Sequence, residues 1–416
     1  MKKTAHQTSF RTPLSLKSLS LLLLAGLCHA SPALALEISG KAGAERLLFS
    51  QEAKYSQQQQ SYSSVFIEPQ LYQGTGDNSE VKAKLFYRYD NNDPSRTHAD
   101  IRELMFYQYA DEWELNAGIG KVFWGTTESR HLVDVINQVD QIESLDDESR
   151  LGQAMIQAKL IKDWGTLDLF ILPGFRPQQF GGAESRPRLN PLIANADPLY
   201  QSSNKANHID YAIRWNHTID DLDIGLSAFN GTQRTPLFKV ITENATPKLL
   251  PVYVQIQQFG LEAQYIVDDL MLKAEAVYRN SHKLAAGDSF EKYDSKALVA
   301  GLEYTLVGIG DTVYDLGLIG EYLYDEWSES TPFQKDWMTG LRFVFNDEQS
   351  SEVLLGHIYD LDDSSQMWML EASRRIGDNW KAELTGRWVT NVDAGNTFLQ
   401  AYQQDDLIDL KLSYFF

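Results

Sequence analysis

The sequence predicts an all-β protein, a transmembrane antiparallel β-barrel of about 18 strands, with 16 also possible, and a short helical segment in one loop. Three observations lead to this fold class. Segments of roughly ten to thirteen residues alternate apolar and polar side chains with a period of two. The connections between them alternate between tight and long. No apolar run of 18 residues follows the amino-terminal region, so no spanning helix is expected there.

Residues 1–35 have the pattern of a secretory signal. They carry four basic residues and no acidic one around an apolar run from Leu19 to Leu27. We predict cleavage after Ala35, with Ala30 as the alternative, which leaves a single barrel domain at 36–416. A transmembrane helix is the competing interpretation, but the run is shorter than the ~20 residues that a bilayer requires. A lipoprotein anchor at Cys28 is disfavoured because Leu27, not a small residue, precedes it.

Charge and cysteine content narrow the choice of partners. Without the four basic residues of the signal, 33 Lys and Arg remain against 57 Asp and Glu, a formal charge of −24. Such an acidic chain makes poor electrostatic contact with nucleic acid, so DNA or RNA is not an expected partner. The mature chain contains no cysteine and therefore needs no disulfide chemistry.

Eighteen segments have the composition of strands. Their predicted positions are 37–48, 64–74, 80–90, 100–110, 112–123, 153–163, 165–173, 208–218, 221–231, 252–266, 270–281, 296–307, 314–326, 336–347, 351–362, 366–376, 380–391 and 405–416. In the last of these, Ile408, Leu410 and Leu412 fall on one face, while Asp409 and Lys411 fall on the other. One face therefore suits lipid and the other suits water.

The connections favour a membrane barrel over a soluble β-sandwich or propeller. Tight turns of Asp, Asn and Gly, such as Asp220-Asp221 and Asp268-Asp269, suit hairpins. They alternate with longer predicted loops at 49–63, 124–152, 174–207, 232–251, 282–295 and 392–404. Lipid cannot satisfy backbone polar groups, so a spanning sheet must close on itself, with short turns at one end and long loops at the other.

Two stretches carry resemblances to known families. The tail Leu410-Lys411-Leu412-Ser413-Tyr414-Phe415-Phe416 resembles the last strand of Gram-negative outer-membrane porins, which implies that Phe416 is read by the barrel-assembly machinery. The Trp124-Gly125 pair followed by Asp134-Val135-Ile136-Asn137-Gln138-Val139-Asp140 is similar to a widespread, largely uncharacterised family of bacterial barrel proteins. Both resemblances imply an outer-membrane barrel in contact with lipid and lipopolysaccharide. Neither implies a particular solute or oligomeric state.

The segment 126–147 differs from the rest because its apolar residues recur at helical spacings of three and four. We expect it to fold inward as a constriction loop, or alternatively to cap the outer rim. In the first case its polar side chains would face the solute; these candidates are Glu128, Arg130, His131, Asp134, Asn137 and Asp140. Asp134 and Asp140 could also bind a divalent cation, although ordinary solvation on the surface of a helix is the favoured explanation.

Charged residues on the inward face of the predicted strands define the lumen wall. The cationic candidates are Lys82, Lys84, Arg88, Lys159, Arg214, Lys273, Arg279, Arg342, Lys381, Arg387 and Lys411. The acidic ones are fewer: Asp210, Glu275, Glu303, Glu371, Glu383 and Asp409. This excess of cations favours anionic solutes, while mutual neutralisation in salt bridges is the alternative.

These features predict a non-enzymatic porin-like channel in the bacterial outer membrane for small hydrophilic solutes, including anionic ones. The sequence contains no metal-binding or nucleophile motif, and we expect no cofactor. A closed structural or surface-recognition barrel, with 174–207 as a recognition loop or lid, is the alternative. An outer-membrane hydrolase using His357 with Ser364 or Ser365 is the least favoured one.

Overall fold

The computed structural model describes residues 36–144, 148–327 and 331–416, so the predicted signal lies outside the described residues. Twenty-one strands follow in chain order: β1 (Glu37–Phe49), β2 (Ser61–Gly76), β3 (Ser79–Asp90), β4 (His98–Tyr109), β5 (Trp113–Gly120), β6 (Gln153–Lys162), β7 (Gly165–Pro173), β8 (Leu199–Tyr200), β9 (Ile209–Ile219), β10 (Leu222–Thr232), β11 (Leu237–Glu243), β12 (Thr246–Tyr253), β13 (Gln255–Val267), β14 (Leu270–Leu284), β15 (Phe290–Leu306), β16 (Asp315–Asp325), β17 (Lys335–Val344), β18 (Glu352–Asp360), β19 (Gln366–Ile376), β20 (Trp380–Thr390) and β21 (Leu407–Phe415).

Eighteen of these strands form one closed antiparallel barrel, and β8, β11 and β12 form a separate small sheet. Each barrel strand pairs with its neighbours along the chain, and β1 closes the barrel by pairing with both β2 and β21. Closure leaves no free sheet edge in the barrel wall. The predicted fold class is confirmed, and each of the eighteen predicted strands overlaps one barrel strand.

The two faces of the wall follow the alternation in the sequence. Leu410 and Leu412 on β21 are exposed on the outer face, whereas Ser413 on the same strand is buried inside. Elsewhere in the wall, large apolar side chains such as Phe259 and Leu261 cover the outside, while Glu262, the residue after Leu261, is buried. The exterior is therefore apolar and the interior carries the charges.

The connections differ between the two ends of the barrel. At one end, which we call the short-turn end, the connections are 77–78, 110–112, 163–164, 220–221, 268–269, 307–314, 345–351 and 377–379. At the other, the long-loop end, they are 50–60, 91–97, 121–152, 174–208, 233–254, 285–289, 326–334, 361–365 and 391–406. One predicted loop is wrong, because β14 and β15 extend through most of 282–295 and leave only five residues between them.

The loops contain more regular structure than the sequence predicts. Within 233–254, β11 and β12 pair as a hairpin, and β12 pairs in parallel with β8 from the preceding loop. The single α-helix of the described chain, α1 (Thr397–Tyr402), begins after Asn396, whose side chain accepts a hydrogen bond from the Leu399 amide. A short helix in a loop was expected at 126–147 instead. There the described residues form turns and bends, so that placement is wrong.

No helix in the described ranges is both long and apolar enough to cross a membrane.

Candidate functional site

The connection between β5 and β6, residues 121–152, runs inside the barrel and is called the inner segment here. Its backbone contacts inward-facing side chains of β14 and β16, far along the chain. The inner segment also forms side-chain contacts with β3, β4 and β17. It is therefore surrounded by the wall rather than laid over the outer rim.

Glu275 on β14 anchors the first part of the inner segment. One of its carboxylate oxygens accepts hydrogen bonds from the backbone amides of Thr126 at 2.8 Å and Thr127 at 3.1 Å, and from the Thr127 hydroxyl at 2.8 Å. The other oxygen accepts from the Val133 amide at 3.2 Å. A wall carboxylate thus satisfies several buried backbone amides of the segment, which follows the wall as turns and bends rather than as a helix.

Two further carboxylates, both on β16, bind the next residues of the inner segment. Glu321 accepts hydrogen bonds from the backbone amides of Glu128 at 2.7 Å and Ser129 at 2.8 Å. Asp325 lies on the same inward face of β16, four residues nearer the long-loop end than Glu321. It forms an ion pair with Arg130 at 2.9 Å. Both carboxylates are almost completely buried, so charge-assisted hydrogen bonds of this kind hold the segment firmly.

Apolar side chains fill the space between the inner segment and the wall. The segment contributes Trp124, Leu132, Val133, Val135 and Ile136 to the main buried apolar cluster. Wall residues such as Phe170 belong to the same cluster, with the Phe170 ring 5.8 Å from that of Trp124. The apolar stripe predicted from the sequence is therefore covered, although by an irregular chain rather than by a helix.

Gly125 explains why a Trp-Gly pair opens the inner segment. Its φ of +134° is rarely adopted by residues with a side chain, and a Cβ at this position would lie 2.8 Å from both Glu275 Oε1 and His131 Nδ1. The chain approaches the anchoring carboxylate this closely only because Gly125 has no side chain.

The stretch from Asp134 to Asp140 forms internal supports. Asp134 pairs with Arg150 at 3.2 Å, and Asp140 with Arg102 on β4 at 2.5 Å. Asn137 accepts from the Val122 amide and donates to the carbonyls of Gly120 and Leu151, each at 2.9 Å. These contacts join the two ends of the inner segment.

The same burial corrects three of the sequence-based site candidates. Asp134, Asn137 and Asp140 are only 7%, 0% and 2% exposed. The prediction that they face a solute is wrong, because each side chain is buried and contacts other residues of the protein. Neither aspartate belongs to a metal-binding arrangement; groups of three or more potential ligands do not occur in the part of the chain that the structure describes.

The other three candidates are only half-buried. Glu128 pairs with Arg342 at 2.8 Å and approaches Lys273 at 3.9 Å. His131 contacts the carboxylates of Glu148 at 3.0 Å and Glu275 at 3.7 Å. Burial lowers the pKa of His131, but hydrogen bonding to those two carboxylates outweighs this effect and raises it to about 10.

The predicted lumen-wall cations lie on inward positions, and most of them have acidic neighbours. Arg88 contacts Glu45 and Glu143, Arg214 contacts Glu262, and Arg279 contacts Asp325; Lys82, Lys159, Lys273, Arg342 and Lys381 pair with glutamates. Mutual neutralisation therefore accounts for much of the wall. Glu45, Glu262, Glu321 and Asp325 are acidic members that the sequence-based set omitted, although period-two alternation from their exposed apolar neighbours could have found them.

A cavity of about 360 Å³ lies beside the inner segment, against the wall formed by β1, β2, β3, β20 and β21. Its cationic lining residues are Lys41, Arg88, Arg96, Arg102, Lys121, Arg150, Arg186, Arg387 and Lys411. Its acidic lining residues are Glu68, Asp93, Glu143, Glu148 and Asp409. Nine cations and five acids line the cavity, but most of these cations also pair with carboxylates behind the lining, such as Glu45, Asp134 and Asp405.

Arg234, which the sequence analysis missed, ties the inner segment to the loop after β10. It is buried, and its guanidinium donates to the Ile136 carbonyl and to Asp210, both at 2.8 Å. In return, the Gln138 side chain donates to the Arg234 carbonyl at 2.8 Å. No local sequence pattern around Arg234 distinguishes this arginine from one on a solvated loop.

The loop 174–208 crosses part of the long-loop end. Arg186 has a completely buried side chain that donates to Asp405 at 2.8 Å and to the Gln51 carbonyl at 3.0 Å. The neighbouring Glu184 carbonyl accepts from the Tyr62 hydroxyl at 2.6 Å. This loop therefore bridges to the loops on either side of the β1–β21 closure.

The three residues of the hydrolase hypothesis, His357, Ser364 and Ser365, each contact other residues rather than one another. The His357 ring stacks on Trp368 at 4.0 Å and approaches Gln366 at 3.3 Å. Ser364 accepts from the Tyr359 hydroxyl, and Ser365 from the Asp393 amide, each at 3.0 Å. Among the described residues, no hydrogen bond joins His357 to either serine.

Comparisons with known proteins support the barrel class. No known protein family and no curated protein matches the sequence. Among solved structures, the chain is similar to OccK5 (OpdH) of Pseudomonas aeruginosa, with a TM-score of 0.51 and 10% identity over 93% of this chain and 99% of that one. This similarity shows the fold alone: a closed 18-stranded barrel of the outer-membrane type.

Two further structures are similar at lower scores. One is a loop-deletion mutant of OmpT, an outer membrane protein of Vibrio cholerae, with a TM-score of 0.44 and 9% identity over 92% of this chain and 99% of that one. The other is a mutant Rh. blastica porin, with a TM-score of 0.42 and 11% identity over 92% of this chain and all of that one.

Proposed function

We propose that this chain is a porin-like channel of a bacterial outer membrane, with the long-loop end outward, and that it passes small hydrophilic solutes. One observation carries the proposal: the inner segment is anchored across the lumen by wall carboxylates and leaves a charged cavity at its side. An 18-stranded barrel is wide enough to leave an aqueous path unless a segment fills it. In this proposal the inner segment narrows that path without filling it, and 1–35 directs export.

Cationic side chains that line the cavity support a preference for anions. Lys41, Arg387 and Lys411 belong to the wall of this cavity, and Lys121 to the inner segment. Charges in a narrow passage act on a solute more strongly than charges in bulk water, because less solvent screens them. In this proposal a small anion passes these cationic side chains beside the inner segment.

Planar-bilayer recording of the purified mature protein tests the channel. We expect discrete conductance steps, and larger steps when residues 126–144 are replaced by a short Gly-Ser linker. Deleting 239–248 from the β11–β12 hairpin is the matched control, since this deletion shortens a loop outside the barrel wall and should leave conductance unchanged. Equal conductance in the parent and the 126–144 variant, both folded, would contradict the constriction role.

The reversal potential under a salt gradient tests the preference for anions. The Arg387→Gln and Lys411→Gln double variant should shift the reversal potential toward cation selectivity. Lys296→Gln, on the outer face of β15, should not. An unchanged potential in the double variant would leave the channel proposal standing and remove the anion preference.

A closed structural barrel is the second candidate, favoured by the bridge that Arg186 makes across the long-loop end. This bridge covers part of the entrance. A barrel closed in this way would show no conductance in the parent, and Arg186→Ala would open it. Conductance in the parent protein distinguishes the two candidates directly.

A further inference from the structure

A groove on the membrane-facing side of the barrel lies where β1, β2, β3, β20 and β21 meet. It is a shallow groove, open to the membrane, with a volume of about 660 Å³ and an exposed lining that is almost entirely apolar. Small side chains, Ala44 and Ala382, form its floor, while larger ones, Val65, Tyr89 and Leu410, stand around them. An open apolar groove of this kind suits a flexible hydrocarbon chain.

A single cation stands at the end of this groove. Arg46 is exposed on the outer face of β1, whose other outward residues, such as Ala44 and Leu48, are uncharged. The outward positions of β20 and β21 are uncharged as well. Arg46 donates to the hydroxyls of Ser63 at 2.7 Å and Ser61 at 3.0 Å, and among the described residues no carboxylate pairs with it.

The register of the strands gives the depth of Arg46. Ala44 lies opposite Val65, which lies opposite Tyr89, a side chain that is 52% exposed on the outer face. Exposed tyrosines mark the boundary between hydrocarbon and headgroups in membrane barrels. Arg46 is two residues nearer the long-loop end than this row, about 7 Å along a tilted strand, and therefore lies toward the headgroups at that end.

We infer that this groove and Arg46 form a binding site for a phosphorylated membrane lipid of the outward leaflet, with an acyl chain in the groove and the phosphate on the guanidinium. The planar fork of an arginine matches two phosphate oxygens, and Arg46 has used two of its five N–H groups on the serines. The Ser61 and Ser63 hydroxyls can each donate to the same phosphate. A free phosphate ion would use Arg46 but gain nothing from the groove.

Native mass spectrometry of the full mature protein in detergent tests this site, with diphosphoryl lipid A as the probe. We expect Arg46→Ala to weaken lipid A binding by about tenfold, the loss expected for a hydrogen-bonded charge pair. Ala44→Trp should also weaken it, because the indole fills the groove without changing any charge. Lys335→Ala is the matched control: Lys335 is another outward cation at the same end of the barrel, but it already pairs with Asp362 at 3.0 Å.

Three outcomes would overturn the inference. Equal binding by the parent and Arg46→Ala removes the role of the cation. Equal losses in Arg46→Ala and Lys335→Ala mean that lipid A adheres to the surface nonspecifically. Competition by millimolar inorganic phosphate, together with unchanged binding by Ala44→Trp, would indicate a free-anion site instead. The heat-modifiable gel mobility of each variant checks that the barrel has folded.

Discussion

The Glu275 carboxylate accepts a hydrogen bond from the Thr127 hydroxyl at 2.8 Å, across 148 residues of sequence. The same oxygen accepts from two backbone amides, so one wall side chain determines where the inner segment begins its course. We expect Glu275→Ala to release this part of the segment, because each buried amide left without a partner costs about 1–3 kcal/mol. The measurement is single-channel conductance, which should rise toward that of the 126–144 deletion and become noisier.

Glu371→Ala on β19 provides the matched control for Glu275→Ala. Glu371 is also an inward glutamate, but it is exposed to the lumen. This variant should change conductance by less than the Glu275 variant does. Equal effects from both would show that lumen charge, rather than anchoring, explains the change.

Gly125→Ala should displace the inner segment, because its new methyl group would meet Glu275 and His131 at 2.8 Å. We expect a loss of roughly 1–3 kcal/mol of stability from the combined strain and crowding. Gly287→Ala isolates the conformational strain, since Gly287 also has a positive φ, +70°, but has no atom within 4 Å of the added Cβ. Thermal unfolding in detergent measures both; a Gly125 variant no less stable than the Gly287 variant would contradict the close-approach argument.

The contacts that hold the inner segment against the barrel wall should weaken at alkaline pH. The pKa of His131 is raised to about 10, so its stabilising charge is fully present below its ordinary pKa of about 6.5 and is lost as the pH rises through 10. Burial raises the pKa of Asp134 to about 6 despite Arg150, so Asp134 stays ionised throughout this alkaline range. Conductance recorded from pH 7 to 10.5 should rise in the parent and change less in His131→Gln. A flat parent profile would argue against a structural role for the protonated histidine.

Asp140→Asn should destabilise the protein rather than change its ion selectivity. Asp140 is 2% exposed and pairs with buried Arg102, which keeps only Asp100 at 3.3 Å when the aspartate is neutralised. Breaking a buried ion pair costs about 3–5 kcal/mol, and the remaining carboxylate places this case near the lower end. Glu112→Gln, in the turn after β4, is the control, because the Glu112 side chain is 67% exposed. A shifted reversal potential with unchanged thermal stability in Asp140→Asn would contradict this assignment.

Removal of Phe416 should reduce barrel assembly without blocking export. The backbone of Phe416 exchanges two hydrogen bonds with Gly40, at 2.9 and 3.0 Å, next to the β1–β21 closure. Its proposed role as an assembly signal stays a prediction. The yield of heat-modifiable protein in outer membranes measures assembly, and Phe398→Asp, at an exposed position on α1, serves as the control. Equal yields from the parent and the Phe416 deletion would contradict the prediction.

The sequence predicted the barrel well because a membrane barrel repeats one simple pattern. Lipid requires an apolar outer face on every strand, and the alternation of Leu410, Lys411 and Leu412 shows this in a single strand. Asp and Asn at the tight turns mark the strand ends, and several adopt positive φ there, as Asp220 and Asp268 do. Strand number and order therefore follow from local information.

The interior was harder to predict because its contacts join distant residues. The spacing of Leu132, Val135 and Val139 is compatible with a helix, but the carboxylates that bind the backbone of this segment, Glu275 and Glu321, lie more than 140 residues away. Neither glutamate has a local signature that separates an anchor from a channel-lining charge. The β11–β12 hairpin was missed although its pairing is local, with Glu243 opposite Thr246 across a two-residue turn.

The contact between Arg186 and Asp405 spans 219 residues, and its arginine also reaches carbonyl groups near residue 51. These partners come together only once the first and last strands of the barrel are side by side. Bringing such remote positions together is the slow part of forming a β-rich topology, because chain entropy is lost before any contact rewards it. We therefore expect the Arg186 bridge to be among the last contacts to form during folding. Its formation would then indicate that β1 and β21 have already paired and closed the barrel.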